Sequence, residues 1–233
     1  MKRVIKFCVF VAVLFLVTIY SSGQSVVKET RDVSGFTGVN FGIAGNLFVK
    51  IGSGFQVTIE GDSKYIRDVE SIVKNGKLVI RRDNFGIFNN ERANVYVTMP
   101  EIKSLGLSGS GQATVEGTVK TDMIDLSVSG SGKITIPEVI LGEMSCSISG
   151  SGDIHLEGGE VGKADLSISG SGSYDGDKVV IKDFQAGISG SGSCSCNVSE
   201  SLNATISGSG NVIYSGNPRM NVRASGSGHV RSR

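Results

Sequence analysis

The tetrapeptide Ser-Gly-Ser-Gly begins at Ser108, Ser129, Ser149, Ser169, Ser189, Ser207 and Ser225, at intervals of 21, 20, 20, 20, 18 and 18 residues. A near-constant period in this range marks a solenoid, in which each unit stacks on its neighbours because it cannot bury an apolar face alone.

A second, shorter period runs through the flanks. Before each tetrapeptide, Leu105/Leu107, Leu126/Val128, Cys146/Ile148, Leu166/Ile168, Ala186/Ile188, Ala204/Ile206 and Val222/Ala224 alternate with mostly polar residues. After it come Ala113/Val115, Ile134/Ile136, Ile154/Leu156, Tyr174, Cys194/Cys196 and Val212. Period-two alternation buries one side of a strand and exposes the other. Stacked in register, these positions predict internal columns of apolar side chains, with successive coils pairing in parallel about 4.8 Å apart. The expected fold is therefore all-β: a parallel β-helix-like solenoid with about 18–21 residues per coil. In it the Ser-Gly-Ser-Gly segments are corners, whose glycines turn with positive φ or crowd against the next coil without a Cβ. The Ser hydroxyls can bond nearby backbone or a Ser one coil away.

Residues 26–100 are less regular. "FQVTIEG" at 55–61, "KLVI" at 77–80 and "NVYVTMP" at 94–100 read as strands, and Asn75-Gly76 inside "KNGK" suits a type I′ hairpin. This section is an irregular β-rich part containing a hairpin. "RRDNFGIFNNER" at 81–92 reads as a surface loop with Phe85, Ile87 and Phe88 packed back on the core, the alternative being an exposed contact patch.

The first 23 residues carry a basic start (Lys2, Arg3, Lys6), an apolar run from Phe7 to Tyr20 and the small residues Ser21-Ser22-Gly23, the layout of an export signal. The apolar run is shorter than the roughly 20 residues that span a bilayer comfortably, so no membrane span is expected after cleavage. The chain thus divides into a signal segment 1–23, a β-rich section 24–100 and a repeat solenoid 101–233, the last two able to form one continuous domain. Losing the signal removes three basic and no acidic side chains and takes the formal charge from +1 to −2. That balance disfavours nucleic acid as a partner. Three cysteines remain, Cys146, Cys194 and Cys196. An odd number cannot all pair within one chain, and their inward positions read as small apolar fillers.

The outward columns hold what chemistry there is. One reads Lys133, Asp153, Ser173, Ser193, Asn211, His229 and its neighbour Thr135, His155, Asp175, Ser195, Ile213, Arg231. A serine triad fails here, because stacking places the carboxylate between imidazole and hydroxyl, whereas the base must touch the nucleophile. Asp153 and Asp175, on adjacent coils, could approach the spacing of a retaining glycosidase, but lack a burial device to raise one pKa. Asp125 and Asp165 lie two coils apart, about 9.6 Å, a spacing suited to a solvated face or a weak sugar-binding row. Asp125, Asp153, His155, Asp165 and Asp175 are therefore candidate surface-contact residues, with no catalytic set, metal site or cofactor expected. Arg223, His229, Arg231 and Arg233 on the final coil read as a solvated end that discourages another β-edge.

"RDVSGFTGV", "VTIEGD", "NGKLVI", "VYVTMPEIKSLGLSGSG" and the later coils together resemble the secreted bacterial family of unknown function labelled putative auto-transporter adhesin, head GIN domain, over about residues 31–228. The resemblance implies a β-helix-like fold and an exported location (periplasm, cell surface or extracellular) in Bacteroidetes-like bacteria. It transfers no catalytic residues. The leading expectation is a noncatalytic envelope or surface module binding a glycan or an envelope protein. The rivals are a structural or assembly protein with weak self-association and a carbohydrate-active enzyme of β-helix type.

Overall fold

The computed structural model describes residues 26–82 and 92–233. The signal segment, and Phe85, Ile87 and Phe88 of the surface loop, lie outside the described residues.

The N-terminal section contains β1 (Val26–Arg31), β2 (Gly38–Phe41), β3 (Gly45–Ile51), β4 (Gln56–Asp62), the short helix α1 (Ser63–Arg67), β5 (Val69–Lys74), β6 (Lys77–Arg82) and β7 (Ala93–Met99). The repeat section follows with β8 (Ser104–Gly109), β9 (Gln112–Glu116), β10 (Thr118–Gly130), β11 (Lys133–Ile136), β12 (Glu138–Gly150) and β13 (Asp153–Leu156). It continues through β14 (Gly159–Gly170), β15 (Ser173–Gly190), β16 (Ser193–Gly208), β17 (Asn211–Ser215), β18 (Arg219–Gly226) and β19 (His229–Ser232).

The repeat section is a parallel β-solenoid. Strand β10 pairs in parallel with β8 and β12, β14 with β12 and β15, and β16 with β15 and β18. The register advances by one sequence repeat: Ser129 faces Ser108 and Ser149, and Ser189 faces Ser169 and Ser207. The inward columns predicted from the alternation are buried: Leu126, Val128, Ile134 and Ile136 are at most 1% exposed. Such side chains each contribute roughly 1.5–3 kcal/mol when withdrawn from water. Tyr174 fills its column beside Phe184, ring centroids 5.9 Å apart. Its hydroxyl fits only because Gly176 has no side chain, since a Cβ there would lie 2.5 Å from that oxygen.

Backbone bonds hold the corners. The amide of Ser151 donates to the Gly130 carbonyl, Ser171 to Gly150 and Ser209 to Gly190, each at 2.8 Å. The glycine requirement is visible at Gly170, where φ is +122° and a Cβ would lie 2.4 Å from the Gly150 carbonyl oxygen. Both reasons for glycine therefore apply at one residue.

The N-terminal section joins the solenoid through parallel pairs, β2 with β8 and β3 with β9. Antiparallel strands finish that end: β4 with β7 and β1, and β5 with β6. The β5–β6 hairpin turns at Asn75 (φ 51°) and Gly76 (φ 71°), the two positive values a type I′ turn needs. Helix α1 starts where the Asp62 carboxylate accepts from the Lys64 amide at 2.9 Å, and it buries Tyr65 and Ile66.

One inward pair departs from expectation. Val222 is 40% exposed and Ala224 is also exposed, although their column mates Ala204 and Ile206 are 1% exposed. Among the described residues strand β18 pairs with β16 alone, so no other strand covers it there. Among the described residues, no helix is long and apolar enough to cross a membrane.

Candidate binding face

Strands β10, β12, β14, β15, β16 and β18 form one outward face with three columns. Nearest the strand starts are Asp125, Ser145, Asp165, Gln185, Asn203 and Asn221. The middle column reads Ser127, Ser147, Ser167, Gly187, Thr205, Arg223, and the third is the corner serines from Ser129 to Ser225. The pleat sets alternate residues about 6.6 Å apart along a strand, and pairing sets coils about 4.8 Å apart, so these groups form a regular grid. From β10 to β16 the hydroxyl, amide, carboxylate and glycine positions leave the grid open to a flat partner, whereas Arg223 stands in the middle column on β18.

The second face carries the other two columns in the expected order. Asp153 faces Lys133 and Ser173, and His155 faces Thr135 and Asp175. Ser173 donates its hydroxyl to the Asp153 carboxylate. His155 Nδ1 lies 3.0 Å from Asp175 Oδ2, and its Nε2 lies 3.8 Å from Glu157 Oε1. Asp153 and Asp175 are therefore each occupied by a neighbour on the adjacent coil. The His155, Asp175, Ser195 column keeps the acid in the middle, the wrong order for a serine nucleophile.

The five candidate contact residues divide between the two faces. Asp125 and Asp165 belong to the first, with Asp165 3.3 Å from the Lys163 ammonium. Asp153, His155 and Asp175 belong to the second, where His155 and Asp175 touch.

The sequence did not reveal a groove of about 540 Å³ where the first face meets β6. Asn40, Arg81, Arg82, Ser108, Ser127 and Ser129 rim it, and Gly106 opens it by standing in the middle column without a side chain. Arg81 Nη2 lies 3.0 Å from Glu70 Oε2, and Arg82 Nη2 lies 3.3 Å from Asp68 Oδ2. The only sequence signal was the substitution of Gly106 for serine.

The buried cysteines are inert fillers. Cys146, Cys194 and Cys196 are free and buried. Burial pushes the Cys146 thiol well up, the Asp125 carboxylate adding to the effect. Burial raises Cys194 likewise, with Cys196 beside it. Thiols held protonated are poor nucleophiles and poor metal ligands. Among the described residues, no group of three or more His, Cys, Asp or Glu side chains is placed to hold a metal ion.

The family described as putative auto-transporter adhesin, head GIN domain, matches residues 35–218. The chain belongs to this family. Among solved structures it is similar to a putative adhesin of Bacteroides fragilis, with a TM-score of 0.85 and 22% identity over 90% of this chain and 98% of that one. A putative adhesin of Parabacteroides merdae gives 0.70 and 22% over 91% and 97%. A putative lipid binding protein of Parabacteroides distasonis gives 0.69 and 19% over 91% and 98%. At these identities the likeness establishes the head GIN fold alone. No curated protein matches the chain.

Proposed function

We propose that this head GIN domain is a noncatalytic module of the cell envelope or surface, exported from the cytoplasm, that holds a glycan or protein partner on its first face. The observation that carries this reading is the grid of polar columns, in register from β10 to β18. A hydroxyl or amide on a solvated face makes a weak contact. Many such contacts at fixed spacing act together, because after the first forms the rest are intramolecular. The adhesin label of the family agrees with this use. Asp125 and Asp165 lie on that face and supply its acceptors. On the second face His155 contacts Asp175 across coils and Asp153 accepts from Ser173, and all three serve as polar surface there.

The test is a glycan array and an envelope pull-down with the chain as it stands and with Ser127→Arg plus Ser167→Arg, which raises two long side chains above the grid. The reading expects a retained partner that the double variant loses. A partner retained equally by both, or none at all, defeats it. Turnover of a polysaccharide abolished by Asp153→Ala plus Asp175→Ala would replace it with the enzymatic reading.

A further inference from the structure

Among the described residues, the last coil has a neighbouring coil on one side. Within those residues strand β18 pairs only with β16 and β19 only with β17, whereas each strand from β10 to β16 has a coil on both sides. The edge of β18 therefore presents backbone N–H and C=O groups without strand partners, a template for another strand. Its core-facing side chains are uncovered as well. Met220 is 43% and Val222 40% exposed, against 0% and 1% for Leu202 and Ala204 in the coil beneath. The opposite end of the molecule is finished differently, by the antiparallel strands β1 and β5 and by α1.

Charge says what fits there. Residues 201–233 contain Arg219, Arg223, Arg231, Arg233 and His229 and no Asp or Glu. Arg233 pairs with Asp177 on β15, while Arg219, Arg223 and Arg231 have no ion-pair partner among the described residues. A second copy docked through the same end would set these arginines against their own kind. Head-to-tail stacking would meet β1 and β5, whose Lys28, Glu29, Arg31, Glu70 and Lys74 are of mixed sign. The cations that repel a like edge attract an acidic one.

We propose that β18 is a docking edge for an extended acidic segment of another polypeptide, added in parallel as the next rung of the solenoid. This is β-augmentation, in which main-chain bonds give affinity and alternate side chains give specificity. The register dictates the ligand pattern. Arg219, Asn221 and Arg223 continue the outward columns, and Met220, Val222 and Ala224 the inward ones. The segment then carries acids beside Arg219 and Arg223, four residues apart, and apolar residues beside Met220, Val222 and Ala224. The proposal stands apart from the polar face and survives if that face binds nothing.

The probe is a fluorescein-labelled octapeptide with Asp at the two arginine positions and Val at the three apolar ones, followed by fluorescence anisotropy. Saturable binding is expected, weakened about tenfold or more by Arg219→Glu plus Arg223→Glu. The same double variant regains binding to a peptide with Lys in place of Asp, a rescue that a misfolded variant could not give. Three results overturn the proposal: no saturable binding, equal binding of a scrambled peptide of the same composition, or concentration-dependent self-association of the unmodified chain that Val222→Lys abolishes.

Discussion

Three glycine-to-alanine substitutions separate the reasons for glycine in this fold. At Gly187 φ is not positive and an added Cβ would meet nothing nearer than the Leu166 carbonyl oxygen at 3.7 Å. Alanine there restricts the unfolded chain and should stabilise by about 0.4–1 kcal/mol. Gly109 has φ +103° with nothing within 4 Å of the added carbon, so its substitution brings backbone strain alone, about 1–3 kcal/mol. Gly170 has φ +122° and a Cβ placed 2.4 Å from the Gly150 carbonyl oxygen. A backbone atom inside a stacked coil cannot swing aside, so overpacking adds about 1–3 kcal/mol to the strain. The expected order of loss is Gly170→Ala, then Gly109→Ala, then Gly187→Ala, with a total of about 2–6 kcal/mol for the first. Urea denaturation with a shared m-value reads these differences as midpoint shifts. Equal losses at the three sites, or the largest at Gly187, would refute the assignment of the corners to conformation and coil contact.

Other outcomes follow from the core. Among the described residues the buried Tyr174 hydroxyl has no hydrogen-bond partner, so Tyr174→Phe should raise stability by about 1–3 kcal/mol, and a loss on urea denaturation would contradict that. Because burial raises the Cys146 and Cys194 thiols above the ordinary value, the folded state keeps protons that the unfolded chain releases. Stability is full below about pH 8.5 and falls as pH rises beyond it, by up to about 1.4 kcal/mol per unit for each thiol. Unchanged urea midpoints between pH 8 and pH 10 would count against this. A thiol reagent should leave Cys146, Cys194 and Cys196 unmodified in the native protein and react with all three in denaturant, as mass spectrometry can read.

The repeat section was legible because two periods coincide in it, about twenty residues from coil to coil and two along each strand. Together they fix which residue stands above which, as with His155 above Thr135 and below Asp175. Alternation tells which side of a strand a residue occupies, and not whether a neighbour covers that side. Val222 and Ala224 were therefore expected inside and are found exposed. The N-terminal section carries no repeat, so the pairing of β2 between β6 and β8 had no signature beyond short apolar runs. Helix α1 is too short for a period and shows only its Asp62 cap. The groove rimmed by Asn40, Arg81 and Ser127 depends on that same pairing, which brings together residues distant in sequence. The polar face was readable column by column, whereas the open edge of β18 is a property of stacking.

The account rests most on the coils lying in register along one axis, and distance measurement between spin labels on the middle outward column tests this directly. A label at Ser127 paired in turn with labels at Gly187, Thr205 and Arg223 spans three, four and five coil steps. Pulsed electron paramagnetic resonance should return about 14, 19 and 24 Å, a constant increment of about 4.8 Å per coil. Separations that fail to grow by one equal step per repeat would contradict the stacked geometry, and with it the polar grid and the docking edge.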